Sequence, residues 1–265
     1  MTLRKLLMAS AAVVSLTATI SSADAAQPYA SLFGGASFLQ SQNMSGKNFT
    51  RTTAAYYTGQ STQSVDTAFK TGFVLGGNAG IEWGSGLRTE LELAFRQNSS
   101  KNHARLRTHY RYQFFTYIST GEGGGYTTIT TAQGGQDNRV PANLKMRAWS
   151  LMANAWYDFD LGLPVTPYVG GGLGMAMVKI SGDLGRYDGS TLSILRLHEK
   201  NDTVFAWQVG AGVSIPISDN MKLFADYRYF AANDAHLKIE PGFHGGSIDA
   251  DFNSHNLMVG VRFNF

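Results

Sequence analysis

The chain has 265 residues, of which 43% are apolar, 12% aromatic and only 15% charged, with 30 glycines, 6 prolines and no cysteine. Abundant aromatics and a charged fraction well below the roughly 25% of ordinary soluble chains exclude a disordered protein. The missing cysteine excludes disulfides and thiolate metal sites, and a net charge of +3 is too mild for a nucleic-acid surface.

Arg4 and Lys5 precede a mostly apolar run, Leu6–Ile20, followed by Ala23-Asp24-Ala25. A charged start, a short apolar stretch and small residues at a cleavage site predict a secretory signal peptide over 1–25. The run is shorter than the ~20 apolar residues of a spanning helix and carries Ser and Thr. Ala26 stands where a lipoprotein would need Cys. The expected mature domain is 26–265. No later window is long and apolar enough for a transmembrane helix, which leaves a soluble exported protein or a transmembrane β-barrel.

From residue 28 onward the chain alternates with a period of two, and only a strand sends alternate residues to opposite faces. The opening segment Tyr29–Leu39 is Gly-rich, and its facing is not evident. In Phe69–Trp83 the odd positions are mostly apolar, while the even ones are mostly polar or glycine. After Gly84–Gly86, Leu87, Thr89, Leu91, Leu93 and Phe95 oppose Arg88, Glu90, Glu92, Ala94 and Arg96. The same pattern recurs in Trp149–Phe159, Val165–Met177, Phe205–Ile215, Leu223–Tyr229 and Leu257–Phe265, which makes eight predicted strands.

Two placements of the polar face are possible: outward in a soluble barrel, inward in a membrane barrel. The apolar faces carry Trp83, Trp149, Trp207, Tyr157, Tyr227, Tyr229, Phe263 and Phe265, mostly near strand ends, where lipid–water interfaces select aromatics. The polar faces mix glycine with charges of both signs: Glu82, Arg88, Glu90, Glu92, Arg96, Asp158, Lys222, Asp226, Arg228 and Arg262. Eight strands leave an interior just wide enough for side chains. Glycines make the room, and all of these charges except Lys222 are assigned to interior ion pairs. The expected fold is therefore an all-β, eight-stranded antiparallel up-and-down transmembrane barrel. Connections alternate between short (Gly84–Gly86, Asp160–Pro164, Pro216–Asn220) and long (about 41–68, 97–144, 180–202, 231–251). That predicts four long extracellular loops and periplasmic termini.

Three runs carry a family likeness. Thr166-Pro167-Tyr168-Val169-Gly170-Gly171-Gly172-Leu173-Gly174 resembles the fifth strand of OmpA-type barrels and α-proteobacterial surface antigens. Asp226-Tyr227-Arg228-Tyr229 resembles their seventh strand, and Ser254–Phe265 their closing strand. The resemblance implies the outer membrane of a Gram-negative bacterium. It also implies that the terminal aromatics Phe263 and Phe265 are read by the barrel-assembly machinery. Unlike full OmpA, the chain is expected to carry no wall-binding domain after Phe265. It covers the membrane-embedded half and says little about activity, because functions in such families sit in variable loops.

In the second long connection, Lys101, His103, Arg105, Arg107, His109 and Arg111 share the outward parity of Leu87–Phe95, and Lys145 and Arg147 share it on the returning strand. If the strands run on past the membrane, these groups form a basic patch above the lipid. Lys101, His103, Arg105, Arg107, Lys145 and Arg147 are then the candidate contacts to lipopolysaccharide phosphates. Tyr110–Ile118, Gly121–Gly125 and Tyr126–Thr131 read as a hairpin with a Gly-rich turn, a candidate dock for a host or phage protein. Alternatively, both arms cross the membrane and the barrel has ten strands.

Catalysis has weak support. Ser254 and His255 are adjacent and point to opposite faces. His198-Glu199 and His236 lie in different connections, and His244 and Ser247 have the wrong spacing for one strand face. No cofactor or metal is expected. The expected function is an envelope surface protein with loop-mediated binding. A narrow porin is the alternative, and a lipid-modifying barrel enzyme stands third.

Overall fold

The structure, a computed structural model, describes residues 26–50, 57–120, 123–188, 191–238 and 247–265. The expected signal peptide, 1–25, lies outside them, as does His244. Among the described residues ten strands form a single antiparallel sheet: β1 (Gln27–Leu39), β2 (Gln42–Thr50), β3 (Tyr57–Phe69), β4 (Gly72–Trp83), β5 (Leu87–Thr120), β6 (Gly123–Asp158), β7 (Thr166–Asp188), β8 (Thr191–Ser218), β9 (Met221–Lys238) and β10 (Ser247–Asn264). Eight of them close a ring. β1 pairs with β4, each later strand pairs with the next through β10, and β10 pairs back onto β1 from Leu39↔Ser254 to Tyr29↔Asn264. Closure leaves no sheet edge in the ring.

The alternation sets the facing. Leu75, Leu93, Leu173, Val209 and Val259 point out, while Val74, Glu92, Gln208, Asp226 and Met258 are buried inside. The facing of β1 is settled too: Tyr29, Phe33 and Ser37 are inside, Leu32 and Phe38 outside. One assignment changes. Phe69 was expected to open an outward apolar run, but it ends β3 and is buried. The chain leaves the ladder at Lys70 and Thr71, so the parity of β4 does not extend back to Phe69.

The long connections are mostly strand. β5 and β6, of 34 and 36 residues, stay paired from Leu87↔Tyr157 to Thr120↔Gly123. The expected hairpin is therefore the far end of these two strands, which overturns its reading as an extra pair of membrane strands. The two added strands, β2 and β3, come instead from the first long connection. β3 pairs with the upper part of β5 (Val65↔Leu106), and β2 touches β10 at Asp249↔Ser45. The wall thus grows from eight strands to ten beyond the ends of β1 and β4.

Glycine makes room at the positions of closest approach. A Cβ on Gly172 would stand 1.9 Å from Asn154 Oδ1, and one on Gly212 2.6 Å from the Tyr168 ring. Gly172→Val is expected to weaken the barrel, read as loss of the fast-migrating band on an unboiled gel. A variant that keeps that band at wild-type heat resistance would show that Asn154 yields.

Candidate functional site

Three layers of side chains follow from this ladder, beginning at the end that carries the short turns. The lowest is ionic. Arg88 donates Nε and Nη2 to Asp158 at 2.8–2.9 Å, Arg262 reaches Glu82 at 3.0 Å and Asp158 at 3.9 Å, and Lys222 meets Glu82 at 2.9 Å. Above it, Arg228 bridges Glu92 and Asp226, lying 2.8 Å from the latter. Arg96 donates to Ser150 at 2.7 Å and stands 3.8 Å from Glu92. Glu90 accepts from the Tyr29 hydroxyl (2.7 Å), the Trp156 indole (2.9 Å) and Asn154 (3.0 Å). Gln208 donates to Asn154 and Glu92, and Tyr168 donates to Asp226. The guanidinium of Arg96 lies 3.9 Å from the Phe230 ring centre, and that of Arg228 4.7 Å from Trp156. Across these two layers five carboxylates (Glu82, Glu90, Glu92, Asp158, Asp226) face five cations (Arg88, Arg96, Lys222, Arg228, Arg262), so their combined formal charge is zero. Charges out of bulk water persist only when paired and hydrogen-bonded in this way.

The upper lumen is apolar. Leu39, Val65, Phe69, Leu106, Val140, Leu144, Met146, Val178, Ile180, Phe230 and Phe252 belong to one buried cluster. On β5 the even, inward positions run Arg88, Glu90, Glu92 and Arg96 below, and Ala104 and Leu106 above. The odd, outward positions run from Leu87, Leu91 and Leu93 to Lys101, His103, Arg105 and Arg107. The lower barrel is oily outside and ionic inside, and the upper barrel is the reverse. Parity alone carried the outward row; the inward apolar filling was missed in sequence, although Ala104, Leu106, Val140, Leu144 and Met146 show it.

The outer surface locates the change. Phe95 and Trp149 pack with ring centres 4.8 Å apart, Trp207 and Tyr229 5.4 Å apart, and Tyr229 and His255 5.2 Å apart. Eight positions further along their strands lie Leu87, Tyr157, Ile215 and Phe263. Eight steps of ~3.3 Å, tilted by about 40°, give an apolar band about 20 Å tall between residue centres, which suits a bilayer interior.

Beyond the band, the six expected phosphate contacts separate by height. Arg147 and Lys145 occupy the first and second outward steps past Trp149, and Arg147 donates Nε to Gln97 at 3.1 Å. Lys101, His103, Arg105 and Arg107 stand higher on β5. Arg105 meets Asp137 at 3.4 Å, and Arg107 meets Asp66 at 3.3 Å and Asp137 at 3.8 Å. Asp66 and Asp137 were not weighed in sequence, because the ladder that brings β3 beside β5 is not visible there. Lys179, directly opposite Arg147 on β7, was also missed.

Ser254 is buried while His255 faces out, so the two are on opposite faces. His255 is engaged by the Tyr227 hydroxyl at 2.6 Å and by Gln40 at 3.0 Å. Phe263 and Phe265 both face outward beside the short turns. Among the described residues no group of His, Asp or Glu is arranged to hold a metal ion.

Residues 7–265 match the family model described as outer membrane protein beta-barrel domain. The chain is 33% identical over 152 residues to outer membrane protein PagN of Salmonella typhimurium, covering 51% of this chain and 60% of that protein. It is 33% identical over 130 residues to a Rickettsia prowazekii protein named as a candidate adhesin, covering 47% of this chain and 54% of that one. It thus spans less than two thirds of either relative. Neisserial surface protein A has a similar solved structure, at 18% identity and a TM-score of 0.42, covering 91% of this chain and all of that one.

Proposed function

The chain belongs to the outer-membrane protein β-barrel family, and on that premise we propose that it is a non-conducting surface protein whose tall β wall stands outside the cell and contacts other surfaces. The carrying observation is the reversal of faces along β5 and β6. Paired charges fill the lumen below, packed apolar side chains fill it above, and polar groups cover the outside beyond the band. Short turns belong on the periplasmic side of such barrels. Gln27 and Phe265 lie at that end, so both termini are assigned there. Phe263 and Phe265 are the residues we assign to recognition by the assembly machinery. The wall and the likeness to a candidate adhesin support contact with a host or phage protein through the far end of β5 and β6. With Ser254 and His255 on opposite faces, the reading is a binding protein rather than an enzyme.

Purified barrel in planar bilayers is expected to give no steady channels, and long-lived picoampere steps would favour the narrow porin. Deleting 110–131 is expected to abolish adhesion to host cells and to leave the gel shift on boiling intact. Unchanged adhesion with that segment gone overturns the contact role.

A further inference from the structure

β8 changes neighbours along its length. In its lower part it lies between β7 and β9, and the ladder to β9 ends at Ala206↔Ala232. Above that point the two strands part. β9 runs on beside β10 to Ser247↔Lys238, and β8 runs on beside β7 to Asp188↔Thr191. Among the described residues no strand pairs with 191–205 on the side away from β7. Antiparallel pairing spends only every second residue's N–H and C=O on a given neighbour, so about half of the backbone groups in 191–205 look onto an open edge. At the lower end of that edge, the Thr203 amide donates to the Asp202 side chain at 2.8 Å instead of to a strand.

The two halves of the edge differ in chemistry. The lower half, 198–202, reads His-Glu-Lys-Asn-Asp and carries the irregularity between Ile180↔Lys200 and Gly182↔Leu197. Charges and bulges are what keep an edge from pairing with another chain. The upper half, 191–197, reads Thr-Leu-Ser-Ile-Leu-Arg-Leu. It has one charge, no Gly and no Pro, and it keeps an unbroken register with β7 from Gly182↔Leu197 to Asp188↔Thr191. Ile194 is 68% exposed. A regular, apolar, open edge is a template for one more strand. Leu197 lies ten residues past Trp207, about 25 Å higher at ~3.3 Å per residue and ~40° of tilt, so the template stands clear of the bilayer.

We propose that 191–197 of β8 is a strand-addition site for an extended segment of a partner polypeptide, apolar at alternate positions. The segment continues beside β8 the ladder that β9 leaves at Ala232. Two copies in one membrane both run β8 toward the bilayer, so their edges meet in parallel, the weaker pairing. A segment of another protein has no such constraint and pairs antiparallel. The site is separate from the far end of β5 and β6, and shares with the function proposed above only the premise that the tall wall stands outside the cell.

The test uses the full barrel in detergent and a short, capped, fluorescent peptide of alternating Val and Thr, with binding read by anisotropy and by hydrogen exchange with mass spectrometry. Wild type is expected to bind the peptide and to gain amide protection within 191–197. The same peptide N-methylated at every amide keeps its side chains, loses its donors and is expected not to bind. Ile194→Lys puts a second charge on the edge and is expected to weaken binding about tenfold or more. Arg105→Gln, on a strand paired on both sides at that point, is expected to leave binding unchanged. The proposal is overturned by no binding to wild type, by equal binding of the methylated peptide, by protection that appears elsewhere, or by full binding to Ile194→Lys. A wild-type barrel that dimerises through this edge, excluding the peptide and reverting to monomer in Ile194→Lys, reassigns the edge to a second copy and overturns it as stated. Retention of the gel shift shows that each variant folds. Deleting 110–131 is expected to leave peptide binding intact, so failure of this site and failure of the β5–β6 contact are seen separately.

Discussion

Arg228→Met is expected to remove about 3–5 kcal/mol of stability, because it strands Asp226 as an uncompensated charge inside the barrel and leaves Glu92 with Arg96 alone. Glu92 has no exposure at all, and Arg228 and Asp226 are 2% and 5% exposed. The side chain also spans the lumen, linking Asp226 two residues away on its own strand to Glu92 on β5, 136 positions distant in sequence. Urea unfolding of barrels refolded into vesicles reads the loss as a lower midpoint. Removing one charge of each sign, as Arg228→Met with Asp226→Asn, is expected to recover much of it, since Glu92 still faces Arg96 and the lumen stays neutral. A single variant within about 1 kcal/mol of wild type would mean that water already reaches these carboxylates, and the closed lumen would fail with it.

The reversal of faces predicts opposite outcomes at neighbouring heights of one strand. Leu93 is 48% exposed on the outside of the band, so Leu93→Arg puts a cation against hydrocarbon at a cost of about 2–4 kcal/mol near the bilayer centre. Leu106 is buried in the upper core, and Leu106→Arg places an unpaired charge among apolar side chains at a cost of several kcal/mol. Arg105→Leu, between them in character, touches only a solvent-exposed pair with Asp137 and is expected to change stability by less than about 1 kcal/mol. The three variants are compared by the urea midpoint in vesicles. A tolerated Leu93→Arg would remove the lipid-facing band, and a tolerated Leu106→Arg would remove the apolar seal above it.

The lower barrel was legible because burial on one face forces strict alternation, and a slip of one residue would turn every side chain of a strand over. Each of the nine interior charges expected from parity lies in the lumen or at its mouth. The upper barrel was harder to read. There the alternation continues with the chemistry exchanged, and Lys, His and Arg at odd positions resemble a solvated loop unless the even positions are read with them. Phe69 was misplaced for a related reason, since two residues outside the ladder are enough to detach one parity from the next.

Period-two patterning, by itself, determined the all-β class, the eight ring strands and, outside β1, the face taken by nearly every side chain within the band. Those are local consequences of backbone geometry, because neighbouring residues on a strand must diverge. Only the closed structure decided which charges meet, as with Arg262 and Glu82, 180 positions apart. It alone placed β2 and β3 in the upper wall, and it alone set Lys179 beside Arg147. A strand's pattern specifies inside and outside, whereas partners across a lumen or a ladder are fixed by register and closure, which no single strand encodes.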